Sequence, residues 1–181
     1  MHITVYLGSY AGTSPALTKA VRELGSWIGG NGHTLVYGGS KSGLMGELAE
    51  SALKAGGRVI GVEPKFFVEQ GLVYDDINEL IVTPDMSERK KKMIELGDAF
   101  IAFPGGTGTL EEIAEIMSQT ALGLLRAPCI LYNLNGYYDN LRSLLQQMIR
   151  QGFSTPARQA GIRFAYDLDE IRVILKQFQD A

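Results

Sequence analysis

Short apolar runs alternate with longer amphipathic stretches along most of the chain. The short runs are rich in β-branched and aromatic residues, which predicts buried strands. These strands are Ile3–Leu7, Thr34–Tyr37, Arg58–Val62, Glu79–Thr83, Ala99–Phe103, Cys129–Tyr132 and Phe164–Tyr166. Between them, apolar residues recur every three to four positions, which predicts helices. The predicted helices are Pro15–Gly30, Leu44–Ala55, Met86–Leu96, Leu110–Leu125, Tyr138–Gln151 and Asp169–Gln179.

Strands that alternate with helices predict a parallel sheet covered on both faces. The expected fold class is therefore α/β, with a doubly wound, mostly parallel, Rossmann-like sheet. The 181 residues suffice for one full core, and no repeat or linker divides them, so we predict a single domain over residues 1–181. The weakly patterned segment from Lys65 to Asn78 is interpreted as an irregular lid or crossover.

Three glycine turns follow predicted strands, at Gly8-Ser9, Gly38-Gly39 and Gly105–Thr109. Ligands of open parallel sheets bind at the carboxyl ends of the strands, near a reversal of the strand order. All three turns lie at that edge. Together they indicate a ligand site there more strongly than any single turn does.

The third turn joins a buried strand to a helix start. Pro104 ends the strand because it cannot donate to a ladder, and the glycines of Gly105–Gly108 let the backbone bend and approach a ligand. Thr109 and Glu112 have the spacing of a capping box, which predicts that a helix begins here. Free N–H groups and the positive end of the helix dipole would bind an anion, most often phosphate. A plain tight connection is the alternative.

Two common nucleotide-binding signatures do not fit this turn. In Gly106–Glu111 a carboxylate stands where GxGxxG requires its third glycine, and the run follows a middle strand rather than the first. No GxxxxGK[ST] sequence occurs, since Lys41 lacks the leading spacing. These observations argue against a Walker-type nucleotidase.

Charged residues in two helix starts add candidate chemistry. Arg89 and Lys90 lie in the first turns of a predicted helix, where a cation opposes the dipole at a cost of a few tenths of a kcal/mol. An anionic ligand would offset that cost, and a solvated charge run is the alternative. Glu112 suits capping and function equally well, whereas Glu111 is a favourable helix-start residue.

Composition narrows the expected partners. A net charge of −3 supplies no global field for nucleic acid or an acidic membrane. No apolar run approaches the roughly 20 residues of a membrane span, and the start of the chain lacks the features of a signal peptide. The one cysteine, Cys129, suits a reducing compartment, so we expect a cytoplasmic protein. With only His2 and His33 beside it, no metal site is expected.

Several motifs resemble those of the LONELY GUY (LOG) family, cytokinin-activating phosphoribohydrolases long mislabelled as lysine decarboxylases. Met86–Lys90 matches MxxRK, and Pro104–Glu112 matches PGGxGTxxE. Further matches are Tyr37–Ser40 with Gly43–Gly46, Gly61–Pro64 and Asn135–Asp139. They follow the family's order from Val5 to about Phe153. The decarboxylase label has no support, because no lysine stands in a recognisable pyridoxal-phosphate setting.

The resemblance implies a nucleotide-binding domain that hydrolyses the N-glycosidic bond of a purine, cytokinin-type nucleoside 5′-monophosphate without a cofactor. By the resemblance, Arg89 and Glu112 are catalytic. By the same resemblance, the residues that contact the substrate and its phosphate are Gly8, Ser9, Gly39, Met86, Lys90, Gly105, Gly106, Thr107, Gly108, Thr109 and Glu111. The resemblance also implies a homodimer. The apolar character of Ile113–Leu125 on more than one helix stripe supports that expectation.

The sequence departs from the family at three places. Ser118–Gly123 replaces the TWxQLG of plant members, Thr107 replaces a frequent aromatic residue, and Gly8-Ser9-Tyr10 replaces a pair of serines. The base and its N6 substituent therefore stay open. One alternative is a broader AMP nucleosidase, and another is a non-catalytic nucleotide or cofactor carrier. A carrier needs the glycine loop but not the carboxylate, so Arg89 and Glu112 together favour the enzyme.

Overall fold

Seven parallel strands form one sheet in the computed structural model, which describes residues 1–180. They are β1 (His2–Tyr6), β2 (Thr34–Tyr37), β3 (Arg58–Pro64), β4 (Glu79–Thr83), β5 (Ala99–Ala102), β6 (Cys129–Tyr132) and β7 (Ile162–Ala165). Their order across the sheet is β4-β3-β2-β1-β5-β6-β7. Every pairing between these strands is parallel, so the predicted doubly wound α/β fold is confirmed.

Helices connect the strands. Within residues 1–180 they are α1 (Pro15–Gly30), α2 (Gly43–Lys54), α3 (Lys65–Glu69), α4 (Met86–Leu96), α5 (Thr107–Ala121), α6 (Asp139–Arg150), α7 (Pro156–Gln159) and α8 (Leu168–Gln179). A 3₁₀ helix at Leu134–Gly136 precedes α6. None of the helices between residues 1 and 180 has the length and apolar character needed to cross a membrane.

The strand order reverses between β1 and β5. From β1 the chain builds outward through β2, β3 and β4, then returns to β5 on the other side and continues through β6 and β7. Val5 pairs with Ile101 across the reversal, and the amide of Phe103 donates to the carbonyl of Tyr6 at 2.8 Å. The loops that follow these two strands are therefore neighbours, as they are at the ligand site of other doubly wound sheets.

The core occupies both faces of the sheet, because successive side chains of a strand point to opposite sides. One face packs Val5 and Ile101 against α1, α2 and α8. The other packs Phe100 and Leu131 against α4, α5 and α6. Helices α4 and α5, which carry the predicted catalytic residues, thus cover the same face.

The start of α5 differs from the prediction. The helix begins at Thr107 with Gly106 at its N-cap, and no side chain caps it, so the predicted capping box of Thr109 and Glu112 is wrong. The Thr109 hydroxyl packs against Gly105 instead, at a place that a Cβ on that glycine would occupy. Glu112 is thereby released from capping and bonds to another helix.

Other boundaries shift for local reasons. Helix α5 ends at Ala121 rather than Leu125, because Gly123 adopts a left-handed conformation (φ 71°) that terminates the helix. Strand β3 runs on to Pro64, which lies at its last position opposite Thr83. The segment predicted as irregular contains the short helix α3, and Val73 within it forms an isolated bridge to Ser40.

Candidate active site

A cavity of about 520 Å³ opens at the carboxyl edge of the sheet, beside the reversal between β1 and β5. Its walls come from the loops after β1, β2 and β5, the end of β3, and the first turns of α4 and α5. The predicted site residues that line it are Gly8, Ser9, Met86, Arg89, Gly105, Gly106, Thr107, Gly108, Thr109 and Glu112. Sequence positions some 100 residues apart therefore meet in one cleft.

The two glycine loops after β1 and β5 touch each other. The amide of Gly8 donates to the carbonyl of Pro104 at 3.3 Å, and a Cβ on Gly105 would lie only 2.7 Å from the Gly8 nitrogen. This contact requires glycine at position 105. At Gly106 and Gly108, by contrast, an added Cβ would meet no protein atom within 4 Å. The loop is therefore packed on one side and open on the other, as a backbone anion site must be.

Arg89 and Glu112 form a buried ion pair. Nη1 of the arginine donates to Oε1 of Glu112 at 2.6 Å, and its Nε donates to the carbonyl of Val62 at 2.9 Å. Both residues are almost fully buried, with 5 % and 6 % of their surface exposed. A guanidinium can satisfy two acceptors at once because its donors are held in a rigid fork. The pair thus links α4, α5 and the end of β3.

Local structure places Arg89 at this point. The Asp85 carboxylate caps α4 by accepting from the amides of Ser87 and Glu88, both at 2.9 Å, as its N-cap position predicts. Arg89 follows one turn later and turns inward over β3. Gly38 leaves room for it, since a Cβ there would overlap the guanidinium.

A second buried carboxyl, Glu63, lies on the other side of the same arginine. Its Oε2 is 4.0 Å from the Arg89 Nε. Burial raises the pKa of Glu63 to about 7; Arg89 opposes that rise and Glu112 adds to it. Burial also raises the pKa of Glu112, against the lowering effect of Arg89. Two carboxyls therefore share one cation in a low-dielectric pocket.

Three of the predicted contact residues do not line the cavity. Lys90 pairs with Glu111 at 2.7 Å on the outer side of α4 and α5, where the glutamate is well exposed. Gly39 (φ 87°) lies beneath Glu63, and a Cβ there would overlap that side chain. The roles of these three residues in substrate binding stay predictions.

Sequence reasoning did not assign several residues that line the cavity. Tyr137 donates a hydrogen bond from its hydroxyl to the carbonyl of Gly105, and Glu63 is the next-to-last residue of β3. Both lie in quoted motifs, Asn135–Asp139 and Gly61–Pro64, so the motifs were the available signal. Apolar lining comes from Leu17, Leu44, Met45, Phe67 and Leu72, and no sequence pattern distinguished these residues from ordinary core. Within residues 1–180, no cluster of three His, Cys, Asp or Glu side chains could hold a metal ion.

The arrangement can bind an anionic group at the loop and present acid and base groups next to it. The open side of the loop and the start of α5 suit a phosphate. The carboxyls, the arginine and several apolar residues line the same cavity. A molecule that combines a phosphate, a polar part and a flat apolar part suits such a lining.

Comparison with known proteins places the chain in a family. The family model described as "Possible lysine decarboxylase" matches residues 45–174. A cytokinin riboside 5′-monophosphate phosphoribohydrolase of Rhodococcoides fascians is 40% identical over 168 residues, which cover 92% of this chain and 85% of that protein. The enzyme of the same name, LOG1, from Arabidopsis thaliana is 38% identical over 154 residues, which cover 85% of this chain and 72% of that protein.

Solved structures share the fold. The molybdenum cofactor binding protein of Rippkaea orientalis superposes with a TM-score of 0.74 at 25% identity, covering 98% of this chain and 96% of that one. The molybdenum cofactor carrier protein of Chlamydomonas reinhardtii superposes with a TM-score of 0.76 at 23% identity. The superposition covers 99% of this chain and 98% of that one. The higher identity and the ordered motifs lie with the phosphoribohydrolases, and this chain belongs to the LONELY GUY (LOG) family.

Proposed function

We propose that this protein hydrolyses the N-glycosidic bond of a purine nucleoside 5′-monophosphate, releasing the free base and ribose 5-phosphate. The observation that supports this most strongly is the Arg89–Glu112 pair, buried beside an open glycine loop. The names of the related proteins from Rhodococcoides fascians and Arabidopsis thaliana point to the same reaction. Cytoplasmic location is part of the proposal.

The loop holds the 5′-phosphate in this proposal. Backbone N–H groups of Gly106–Thr109 and the α5 dipole attract its charge. Binding energy from the phosphate, which does not react, then fixes the ribose against the carboxyl groups. Adenosine, which lacks the phosphate, should accordingly be a far poorer substrate than AMP.

Glu112 acts on the ribose. Breaking the bond between C1′ and N9 builds positive charge on the sugar, and a carboxylate nearby stabilises it. The same carboxylate can accept the proton of the attacking water. Arg89 holds Glu112 in place from the adjacent helix and opposes the rise in its pKa that burial causes.

A carrier function is the competing candidate, because the structural neighbours include molybdenum cofactor carriers. A carrier needs the loop and a cleft, yet gains nothing from two buried carboxyls around one arginine. Such a group of charges is costly to bury and is typical of catalytic sites. Within the enzymes, AMP nucleosidase activity stays the alternative to a preference for N6-substituted bases.

A homodimer is the second part of the proposal. Leu122 and Leu124, just after α5, are 64% and 74% exposed, whereas Ile113, Ile116 and Met117 within α5 pack into the core. Two exposed leucines close together in the sequence favour an association surface, and two-fold pairing is the commonest closed arrangement. Contacts there would steady α5, which carries Glu112.

Chromatography tests the activity directly. Purified protein is incubated with AMP, with isopentenyladenosine monophosphate and with adenosine, and free base is quantified over time. The proposal expects base from one or both nucleotides and very little from adenosine. The ratio between the two nucleotides decides between a cytokinin-type enzyme and a general AMP nucleosidase. Tight nucleotide binding without any base release would favour a carrier.

A further inference from the structure

Glu63 is a buried carboxyl that the reaction described above does not use. It is the next-to-last residue of β3, at the carboxyl edge of the sheet, lines the cavity and is 3% exposed. Nothing on its own strand requires an acid there, since its register partner on β4 is Val82. A buried charge without a structural purpose points to a functional one.

Its hydrogen bonding is incomplete. Within residues 1–180, Oε2 of Glu63 has no hydrogen-bond partner. Nε of Arg89 lies 4.0 Å away, beyond hydrogen-bonding distance, because it is already engaged by the carbonyl of Val62 at 2.9 Å. Nη1 of the same arginine donates its hydrogen bond to Glu112. Glu63 therefore has an attraction to the cation but no direct bond, and a buried group in that state favours its neutral, protonated form.

Three titratable groups face Glu63. Arg89 comes from α4, Glu112 from α5 and Tyr37 from β2. Burial, with a contribution from Glu63, raises the pKa of Tyr37 above its already high ordinary value, so the tyrosine stays uncharged at neutral pH. The balance among burial, Arg89 and Glu112 puts the pKa of Glu63 at about 7. That value is suited to giving up a proton at neutral pH.

No other described group on the cavity wall is as suitable for donating a proton at neutral pH. Serine, threonine and tyrosine hydroxyls are too weakly acidic, and a guanidinium keeps its proton throughout the physiological range. The remaining carboxyl, Glu112, has a direct ion pair with Arg89, which opposes the rise in its pKa that burial causes. Glu63 has no such direct bond, so the two carboxyls differ in environment, and two carboxyls that differ in this way can divide into an acid and a base.

We propose that Glu63 is the general acid of this site and delivers a proton to a ring nitrogen of the departing purine. This inference rests on the proposed phosphoribohydrolase function and adds a catalytic residue to it. Glu112 and Glu63 then serve the two ends of the reaction, one at the ribose and one at the base. Arg89 lies between them and contributes to both environments.

The proton and electron balance is complete. The C1′–N9 bond breaks and its electron pair goes to the base, while the carboxyl proton of Glu63 moves to a ring nitrogen, so that the base leaves neutral. Water forms the new bond to C1′ and gives its proton to Glu112. The products are free base and ribose 5-phosphate. Transfer of the proton from Glu112 back to Glu63, through solvent, restores the starting state.

The test uses two substrates that differ in their need for an acid. AMP has a poor leaving group, whereas p-nitrophenyl ribofuranoside 5-phosphate releases nitrophenolate without protonation. Glu63→Gln keeps the size and removes the proton that can be donated. We expect at least a hundredfold loss of kcat on AMP and less than a fivefold loss on the nitrophenyl substrate. Glu112→Gln, the comparison variant, should lose activity on both.

Equal losses of Glu63→Gln on both substrates, or no loss on either, would overturn the inference. A wild-type protein that releases neither base nor nitrophenol would overturn the proposed function and this inference together. Wild-type base release with unaffected Glu63→Gln would overturn the inference alone.

The wild-type enzyme offers a measurement that needs no variant. If Glu63 donates the proton, kcat on AMP must fall as the pH rises through about 7, while kcat on the nitrophenyl substrate must not follow it. Parallel profiles for the two substrates would contradict the assignment.

Discussion

Arg89 and Glu112 lie 23 residues apart in the sequence, yet Nη1 of one donates to Oε1 of the other at 2.6 Å. They belong to α4 and α5, which lie before and after β5 on the same face of the sheet. Each residue sits near the start of its helix, at the edge where the glycine loops meet. The fold therefore brings one cation and one carboxylate together beside a predicted phosphate site.

Glu112→Gln should fold normally and lose base release by about 10²–10⁴-fold. The amide oxygen can still accept from Arg89, but the negative charge that stabilises the ribosyl cation is gone. Purified variant and wild type are compared by rate of base release and by thermal unfolding. The control is Glu115→Gln, three residues further along α5, where the carboxylate is partly exposed and pairs with Lys90. A folded Glu112→Gln protein with wild-type turnover would show that Glu112 is structural.

Arg89→Ala should abolish turnover and destabilise the protein by about 3–5 kcal/mol, because two buried carboxyls lose their cation. Arg89→Lys keeps the charge but cannot reach both Val62 and Glu112, so it should recover stability better than activity. Denaturant unfolding and base release measure the two effects separately.

Lys91→Ala and Lys92→Ala are the controls for Arg89. Their side chains are exposed and pair with Glu88 and Glu95 on the surface of α4, so each substitution should cost less than about 1 kcal/mol and leave turnover unchanged. If these variants lose activity as Arg89→Ala does, the basic residues of α4 act together, and Arg89 has no special role in catalysis.

Gly108→Ala separates loop function from folding. The new Cβ would meet no protein atom within 4 Å, and alanine in the first turn of α5 should stabilise the helix by up to about 1 kcal/mol. It would, however, intrude on a bound phosphate, so KM should rise at least about tenfold, or ~1.4 kcal/mol. Gly30→Ala at the open end of α1 is the matched control. Unchanged KM in Gly108→Ala would place the phosphate elsewhere.

Leu124→Glu should convert a dimer into a monomer, because it puts a charge on an exposed apolar surface. Light scattering at micromolar concentration measures the mass. Val173 on α8 is another exposed apolar residue, with 55% of its surface accessible, and Val173→Glu should not change the measured mass. A substitution at Met117 would be ambiguous, since that side chain is only 9% exposed and packs in the core. A fully active wild-type monomer would refute the dimer.

Stability should fall as the pH rises from about 4.5 to about 7. The pKa of Glu63 is raised in the folded protein, so over this range the folded state binds more protons than the unfolded state, and deprotonation favours unfolding. Glu112 contributes in the same direction. The expected slope is at most about 1.4 kcal/mol per pH unit for each group. Glu63→Gln should flatten the curve, and an equally steep curve in that variant would exclude Glu63 as its source.

The sequence predicts the sheet well because the apolar runs are short, clearly bounded and buried on both faces. β2, β4, β6 and α4 have the predicted bounds. The boundaries that differ depend on tertiary contacts. Thr109 looks like a cap but packs on Gly105, and α5 looks longer than it is because leucines continue past the left-handed Gly123.

The candidate site was predictable only in part. Glycine turns and ordered motifs identify the loop, Arg89 and Glu112, since their spacing is local. Glu63 lies in the motif Gly61–Pro64, but the motif alone does not single it out, because its importance comes from burial next to Arg89, which only the fold creates. The position of Lys90 outside the cavity, paired with Glu111, likewise follows from the direction in which α4 faces.

The most direct test of the proposed reaction is hydrolysis of AMP in ¹⁸O-labelled water, followed by mass spectrometry of the products. Cleavage of the N-glycosidic bond by water predicts free adenine and ribose 5-phosphate in equal amounts, with one labelled oxygen in the sugar product. Glu112→Gln, purified in the same way, should form neither at a comparable rate. Labelled inorganic phosphate with adenosine, or unchanged AMP bound to the wild-type protein, would contradict the account.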